Sequence, residues 1–467
     1  MTDCFTMTAA ELRLQIRTGG LTAEQTVRSF LDRIAALDDA VGAWSYIDPA
    51  YALSQARDAD RAQASGQPVG ALHGVPVGIK DIFDTIDMPT EYGTVLHAGN
   101  QPCRDATAVS LLRQAGAIII GKTVTTELAI AQAGITKNPH DLNRTPGGSS
   151  SGSAAAVASM MVPVALGTQT NGSIIRPASF CGVVGYKPSY GLISRHGCLK
   201  QSGLLDQVGV FGRTVEDAAV LAQELMSYDS KDPDMAVRAR LRLVECVNSR
   251  PPSPPRFAYV KSPVWGEAQD HTRAAFEGLV AKLGGQVDEV LLPGLFDTAV
   301  EDHGTIMESD VAVSLAGQYA RGAELLSPAA RGMIERGRER RATDYIRARQ
   351  NIPKLIAALG DVVSGYDAIL TPAAIGEAPI GYNPTGNPVF CTIWSLCGLP
   401  AISIPILKGV TGLPLGTQLV GLRNDDARLL RTARWLVESV GTAFSQLGGV
   451  IGPKVTPSCD RAPPALP

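Results

Sequence analysis

The sequence predicts an α/β fold, and two observations carry the prediction. Short apolar runs hemmed by glycine and proline read as buried strands, and segments with apolar residues at helical spacing lie between them. A chain of 467 residues, 45% hydrophobic with 48 glycines, can bury a large core as one big α/β domain or as two smaller ones. Leu21 to Leu37 spaces its apolar residues as an amphipathic helix behind Thr22, an N-cap with Gln25 three positions later. A second, polar helix follows to Gly66. The run from Gly74 to Phe83 reads as a buried strand ending near Lys80, an unusual place for a lysine. Ala108 to Gln114 reads as helix and Gly116 to Lys122 as another buried parallel strand, which gives the β-α-β order of a helix-covered sheet.

From Pro146 to Pro188 glycine-serine turns alternate with an alanine-rich helix and short apolar strands, and the chemistry is expected there. The middle of the chain, about Met226 to Pro328, is less patterned, and its loop Arg250 to Arg256 holds four prolines that exclude helix and central strand. We expect this excursion to cap the sheet. Asp367 to Pro372, Leu399 to Pro405 and Leu415 to Gly421 then read as strands returning to it, Asp426 to Val440 as a closing helix, and the proline-rich end as a disordered tail.

The formal net charge of −3 recruits neither nucleic acid nor an anionic membrane, so small-molecule chemistry is the default. Eight scattered cysteines, with no CxxC pair and no histidine at ligand spacing, read as reduced thiols of a cytoplasmic protein without a metal site. The start carries acids where a secretory leader would be basic then apolar, and no apolar run reaches the roughly 18 residues of a membrane span.

Gly147 to Ser153, GGSSSGS, has the composition of a flexible linker. It runs straight into the alanine-rich helix inside an apolar region, which favours glycines, Gly148 among them, that let backbone approach a ligand at a helix N-terminus. It is not a phosphate loop, for no lysine follows the second glycine. Gly167 to Ser173, GTQTNGS, is a second small-residue turn, able to expose successive N–H groups around one hydroxyl as an oxyanion hole does, or to serve as a structural turn. A serine nucleophile needs a base. No histidine follows a nucleophile elbow in acid-then-histidine order, whereas a lysine desolvated at a strand end can be neutral, and Lys80 fits unless it is salt-bridged to Asp81 or Asp84.

Lys80 in a GxPxxxKD setting, PGGSSSGSAAAVA, and GTQTxGS followed by PA-x-F-C-G resemble the amidase signature family, and the likeness extends from about Leu72 to the helix near Val440. The resemblance implies a single α/β domain with a mixed twisted sheet covered by helices on both faces. Its limits would be 1–454, with N-terminal helices over 1–66, a core of about 70–220 and 365–445, a capping excursion of about 226–360 and a tail over 455–467. It further implies a Ser-cisSer-Lys triad: Ser173 is acylated, Ser149 bridges, Lys80 is the base, and the N–H groups of Thr170, Asn171, Gly172 and Ser173 form the oxyanion hole. No cofactor or metal is implied.

The chain departs from the family pattern at Gln169, Asn171 and Ile175, and its arginine is displaced to Arg176. That spacing resembles malonamidase-like members, in which the arginine faces the acyl pocket; a substrate carboxylate clamp and a structural arginine both remain open. The arginine-rich stretch Arg331 to Arg349 reads as a solvated helix face. The expected function is hydrolysis of a small carboxylic amide, with that molecule as partner, no nucleic acid, no membrane, and a homodimer as assembly. The alternative is the A subunit of a tRNA-dependent amidotransferase that releases ammonia for a partner.

Overall fold

In the computed structural model, which describes residues 3–130 and 132–441, the predicted strand runs line up in one sheet. Its strands are β1 (Trp44–Ile47), β2 (Pro76–Lys80), β3 (Ile118–Thr123), β4 (Val164–Gln169), β5 (Val184–Lys187), β6 (Gln207–Gly212), β7 (Phe257–Val260), β8 (Val287–Val290), β9 (Ala368–Pro372), β10 (Ala401–Lys408) and β11 (Pro414–Val420). The spatial order is β1-β3-β2-β4-β6-β5-β10-β11-β9-β7-β8. Pairing is parallel at β3-β2-β4 and at β9-β7-β8 and antiparallel elsewhere, so the sheet is mixed.

Both faces are covered. Along β3, Ile119 packs into one hydrophobic cluster while Ile118 and Ile120 pack into another, and along β4 Val164 and Leu166 oppose Ala165 in the same way. Because each strand is buried on both sides it reads as a continuous apolar run, which is why β2, β3 and β4 were legible. The helix behind Thr22 runs Ala23–Val41, with the Thr22/Gln25 capping box formed. The polar helix is Pro49–Ala64, and β1, a strand not anticipated, lies between the two.

The excursion expected only to cap the sheet also extends it, through β7 and β8. These strands are four residues each, and β8 (VDEV) is half-exposed, an edge strand with no sustained apolar run to announce it. The rest of the excursion supplies helices, among them Ala299–Ser314 and Ala342–Val363. Their side chains Ile306, Leu355 and Leu359 share a cluster with Trp394 of the Val389–Leu396 helix. The arginine-rich stretch lies on the Pro328–Glu339 helix and the start of the next, where Arg336 and Arg340 pair with Glu308. The expected tail over 455–467 lies outside the described residues.

Candidate active site

Parallel pairing of β2 with β4 matches Ile79 to Leu166, so Lys80, the last residue of β2, comes alongside the end of β4. There Lys80 Nζ lies 2.7 Å from Ser149 Oγ and 2.9 Å from Thr168 Oγ1. The lysine is completely buried, and no carboxylate pairs with it among the described residues; Asp81 pairs with Lys122 instead. Burial lowers the Lys80 ammonium to about 7, against the pull of Asp206 and Cys198. A lysine so placed donates to both hydroxyls while it is charged, and above about 7, once neutral, it has a lone pair with which to accept a proton.

The glycine-serine run is buried throughout and opens the Ser151–Ala158 helix. The Gly148–Ser149 peptide bond is cis. Of the four hydroxyls, Ser149 alone meets Lys80; Ser150 Oγ faces the Thr168 backbone, Ser151 donates to Val124 O, and Ser153 donates to Leu166 O.

β4 hands the chain to the turn Thr170–Ser173, and the Ile175–Cys181 helix follows. Ser173 is half-buried, and its hydroxyl has no hydrogen-bond partner among the described residues, including Ser149. The turn is held from outside. Thr170 Oγ1 donates within a pair of acceptors, Gln201 Oε1 and Asp206 Oδ1, both at 2.7 Å, and Thr392 Oγ1 donates to Asn171 Oδ1 at 2.8 Å. Its carbonyls are also occupied: Thr170 O by His303 Nε2, Asn171 O by Ser395 Oγ and Gly172 O by Arg176 N. The N–H groups of Asn171, Gly172 and Ser173 have no protein acceptor among the described residues, and with Asn171 and Ser173 only partly buried they are open to an acceptor supplied by a ligand. Gly172 is confined as well, for a Cβ there would stand 2.8 Å from Pro388 Cβ.

Gln169, a departure from the family pattern, caps the next helix: its Oε1 accepts from the N–H groups of Ile174 at 2.8 Å and Ile175 at 3.0 Å, while Nε2 donates to Ser395 Oγ at 3.0 Å. Arg176 is buried beside the run. Its Nη2 donates to Gly148 O at 2.7 Å and to Thr385 Oγ1 at 3.1 Å, its Nε has no partner, and burial lowers it to about 10. No acid pairs with it among the described residues. A cavity of about 280 Å³ reaches the base side of the cluster through Thr168 and the turn through Thr170, with Gln201, Asp206 and Cys198 also on its wall.

The fold therefore brings Lys80, Ser149, Ser173, the Thr170–Gly172 turn, Gly148 and Arg176 into one region. Thr168, Gln201, Asp206, His303, Thr385 and Ser395 belong to the same region and were not singled out from the sequence. Thr168 lies inside the Gly167–Ser173 run but has no role legible there; the others lie on other segments, and nothing in their local pattern marks them. Among the described residues no cluster of histidine, cysteine and acids could hold a metal ion, and no helix is long and apolar enough to cross a membrane.

The Amidase family model matches residues 25–430. The chain is 40% identical over 334 residues to a protein from Acidothermus cellulolyticus named as the A subunit of glutamyl-tRNA(Gln) amidotransferase, a match spanning 68% of this chain and 64% of that protein. It is 34% identical over 495 residues to the protein of the same name from Salinispora arenicola, covering 94% and 99% of the two. A solved amidase structure superposes with a TM-score of 0.83 at 31% identity, over 93% of this chain and all of that one. These relatives overturn the expectation of a small amide as the sole partner, with no nucleic acid. Their name is that of one component in a tRNA amidotransferase, and a net charge near zero does not reveal such a role, because a component held by its partners need carry no basic surface of its own.

Proposed function

The chain belongs to the amidase signature family, an amidohydrolase-type enzyme, and on that premise we propose that it releases ammonia from a carboxylic amide through an acyl-Ser173 ester, as the A subunit of a glutamyl-tRNA(Gln)-type amidotransferase. The observation that carries the chemistry is the buried Lys80 Nζ at 2.7 Å from Ser149 Oγ, beside a turn whose N–H groups are unpaired. Neutral Lys80 takes the Ser149 proton as Ser149 takes that of Ser173, and Ser173 Oγ bonds to the amide carbon. The oxygen that becomes negative lies against the N–H groups of the Thr170–Ser173 turn, where each donor contributes about 3 kcal/mol in comparable sites. When the C–N bond breaks, the relay returns the proton to nitrogen and ammonia departs. Water then attacks the ester by the same relay and frees the acid.

Arg176 is the group in the region best suited to a carboxylate on the amide donor. It is a buried guanidinium with no acid beside it, and a substrate carboxylate would supply the missing charge.

A second reading, turnover of a small amide by the chain acting alone, is favoured by the likeness to the solved amidase and by Gln169, Asn171 and Ile175, which depart from the commoner family form. Ammonia release is measured from glutamine and from neutral and carboxylate-bearing amides, by the purified chain and by the chain joined to the partner subunits of an amidotransferase with glutamyl-tRNA. Release from glutamine that requires the partners supports the first reading, and full turnover of another amide by the chain alone supports the second. Ser173→Ala is expected to abolish either activity, and undiminished release would sink the mechanism. Arg176→Lys is expected to raise KM selectively for carboxylate-bearing amides.

A further inference from the structure

We propose that His303 is a positioning residue that aims the Asn171 N–H at the developing oxyanion, an inference that rests on Ser173 being the acylated nucleophile. In a trans peptide the C=O and the following N–H point in opposite directions, so an anchor on one fixes the other. The Thr170 carbonyl is engaged at 3.1 Å by His303 Nε2, and this sets the direction of the Asn171 N–H. Ser395 Oγ on the Asn171 carbonyl does the same for Gly172, and Arg176 N at 2.9 Å from Gly172 O does so for Ser173. The last of these anchors is a bond at the start of the helix that follows. The first reaches in from the Ala299–Ser314 helix of the excursion, 133 residues away in the chain.

The chemistry of the contact assigns the histidine tautomer. A carbonyl oxygen only accepts, so Nε2 must carry the hydrogen. The ring is buried at 1% exposure, and desolvation lowers it to about 4, so it is neutral across the physiological range and Nδ1 is the bare nitrogen. A leucine would be buried at this position as well. What the imidazole adds is a donor at one point, against the oxyanion turn. Donors of this kind act on the transition state more than on the bound substrate, because the oxygen they meet gains its charge only as the tetrahedral species forms.

The test compares His303→Leu, which removes the donor, with His303→Gln, whose side-chain amide can donate to the same carbonyl. Ser395→Ala serves as a second probe acting on the neighbouring carbonyl. The readouts are kcat and KM on the amide the wild type turns over best, inhibition by phenylboronic acid, which forms a tetrahedral adduct on a nucleophilic serine, and the thermal midpoint. His303→Leu is expected to lower kcat by about 10- to 100-fold with KM changed less than about threefold. Phenylboronic acid should weaken by the same factor as kcat/KM, His303→Gln should recover most of the loss, and Ser395→Ala should show the same pattern. A purely structural histidine would give a lower thermal midpoint with kcat retained, and that result overturns the proposal, as does a folded His303→Gln no better than His303→Leu. Activity that survives Ser173→Ala would instead defeat the premise, and the two failures are distinct because Ser173→Ala is read in the His303 background of the wild type.

Discussion

Lys80 can accept a proton only while it is unprotonated, and the fold sets when that is. Desolvation lowers it to about 7, with Asp206 and then Cys198 opposing. Below that value the lysine holds its proton and the relay has no base. On the proposed mechanism kcat/KM therefore falls about tenfold for each pH unit below 7 and levels off above it, until other groups titrate. A pH series on a single amide substrate checks this, and a profile flat from pH 5.5 to 8 would remove Lys80 from the role of base. The position was legible because a lysine inside an apolar, glycine-bounded run is a local anomaly. Its second partner Thr168 was not, since that contact joins residues 88 apart in sequence and depends on β2 lying next to β4. His303 escaped notice for the same reason: one histidine in a helix says nothing about the carbonyl it reaches.

Glycines decide how closely elements approach, and the Ser151–Ala158 helix shows the consequence. It is buried from Ser151 to Val157, so its alanines and Gly152 serve close packing. A Cβ on Gly152 would stand 2.2 Å from Ala43 O and 2.4 Å from Val124 N, both backbone atoms that cannot swing aside. Gly152→Ala is expected to destabilise by about 1–3 kcal/mol or more, despite the better helix propensity of alanine. Gly278 in the Asp270–Leu283 helix has nothing within 4 Å of its Cβ direction, and Gly278→Ala should be neutral or stabilise by up to about 1 kcal/mol. Thermal unfolding of the pair reads the contrast, and equal shifts would show that propensity outweighs packing at both. At this scale the sequence was clear where an element was long or buried on both sides, as in the Asp426–Val440 helix and β2 to β4. It was silent for β1, β7 and β8, whose four residues carry too little pattern to separate strand from loop.

For the whole molecule, a sheet covered on both faces leaves lysines in the covered part of its strands no route to water, while Lys408 at the end of β10 is exposed. Lys80, Lys122 and Lys187 are all completely buried. Lys122 has Asp81 at 3.1 Å. Lys187 is lowered to about 7 by burial, with Asp426 opposing, and its ammonium donates to Gln207 Oε1 at 2.7 Å and to Leu399 O. Two bases near 7 in the folded chain, against about 10.4 when unfolded, tie stability to pH. Between these values the unfolded chain binds the proton and the folded chain does not. Stability therefore rises with pH through this window, by about 1.4 kcal/mol per unit for each lysine, and below 7 the contribution is flat because both states are protonated. Other titrating groups change the total curve, so the wild type alone does not isolate the effect. Lys80→Met does, because every other group is shared. The variant carries no charge to desolvate, so its stability relative to the wild type should be highest at pH 7 and below and should shrink steadily from pH 7 to 9. Thermal midpoints of both proteins in matched buffers measure that difference, and one that stays constant over the interval would mean that Lys80 is protonated in the fold, which would remove it as a base as well.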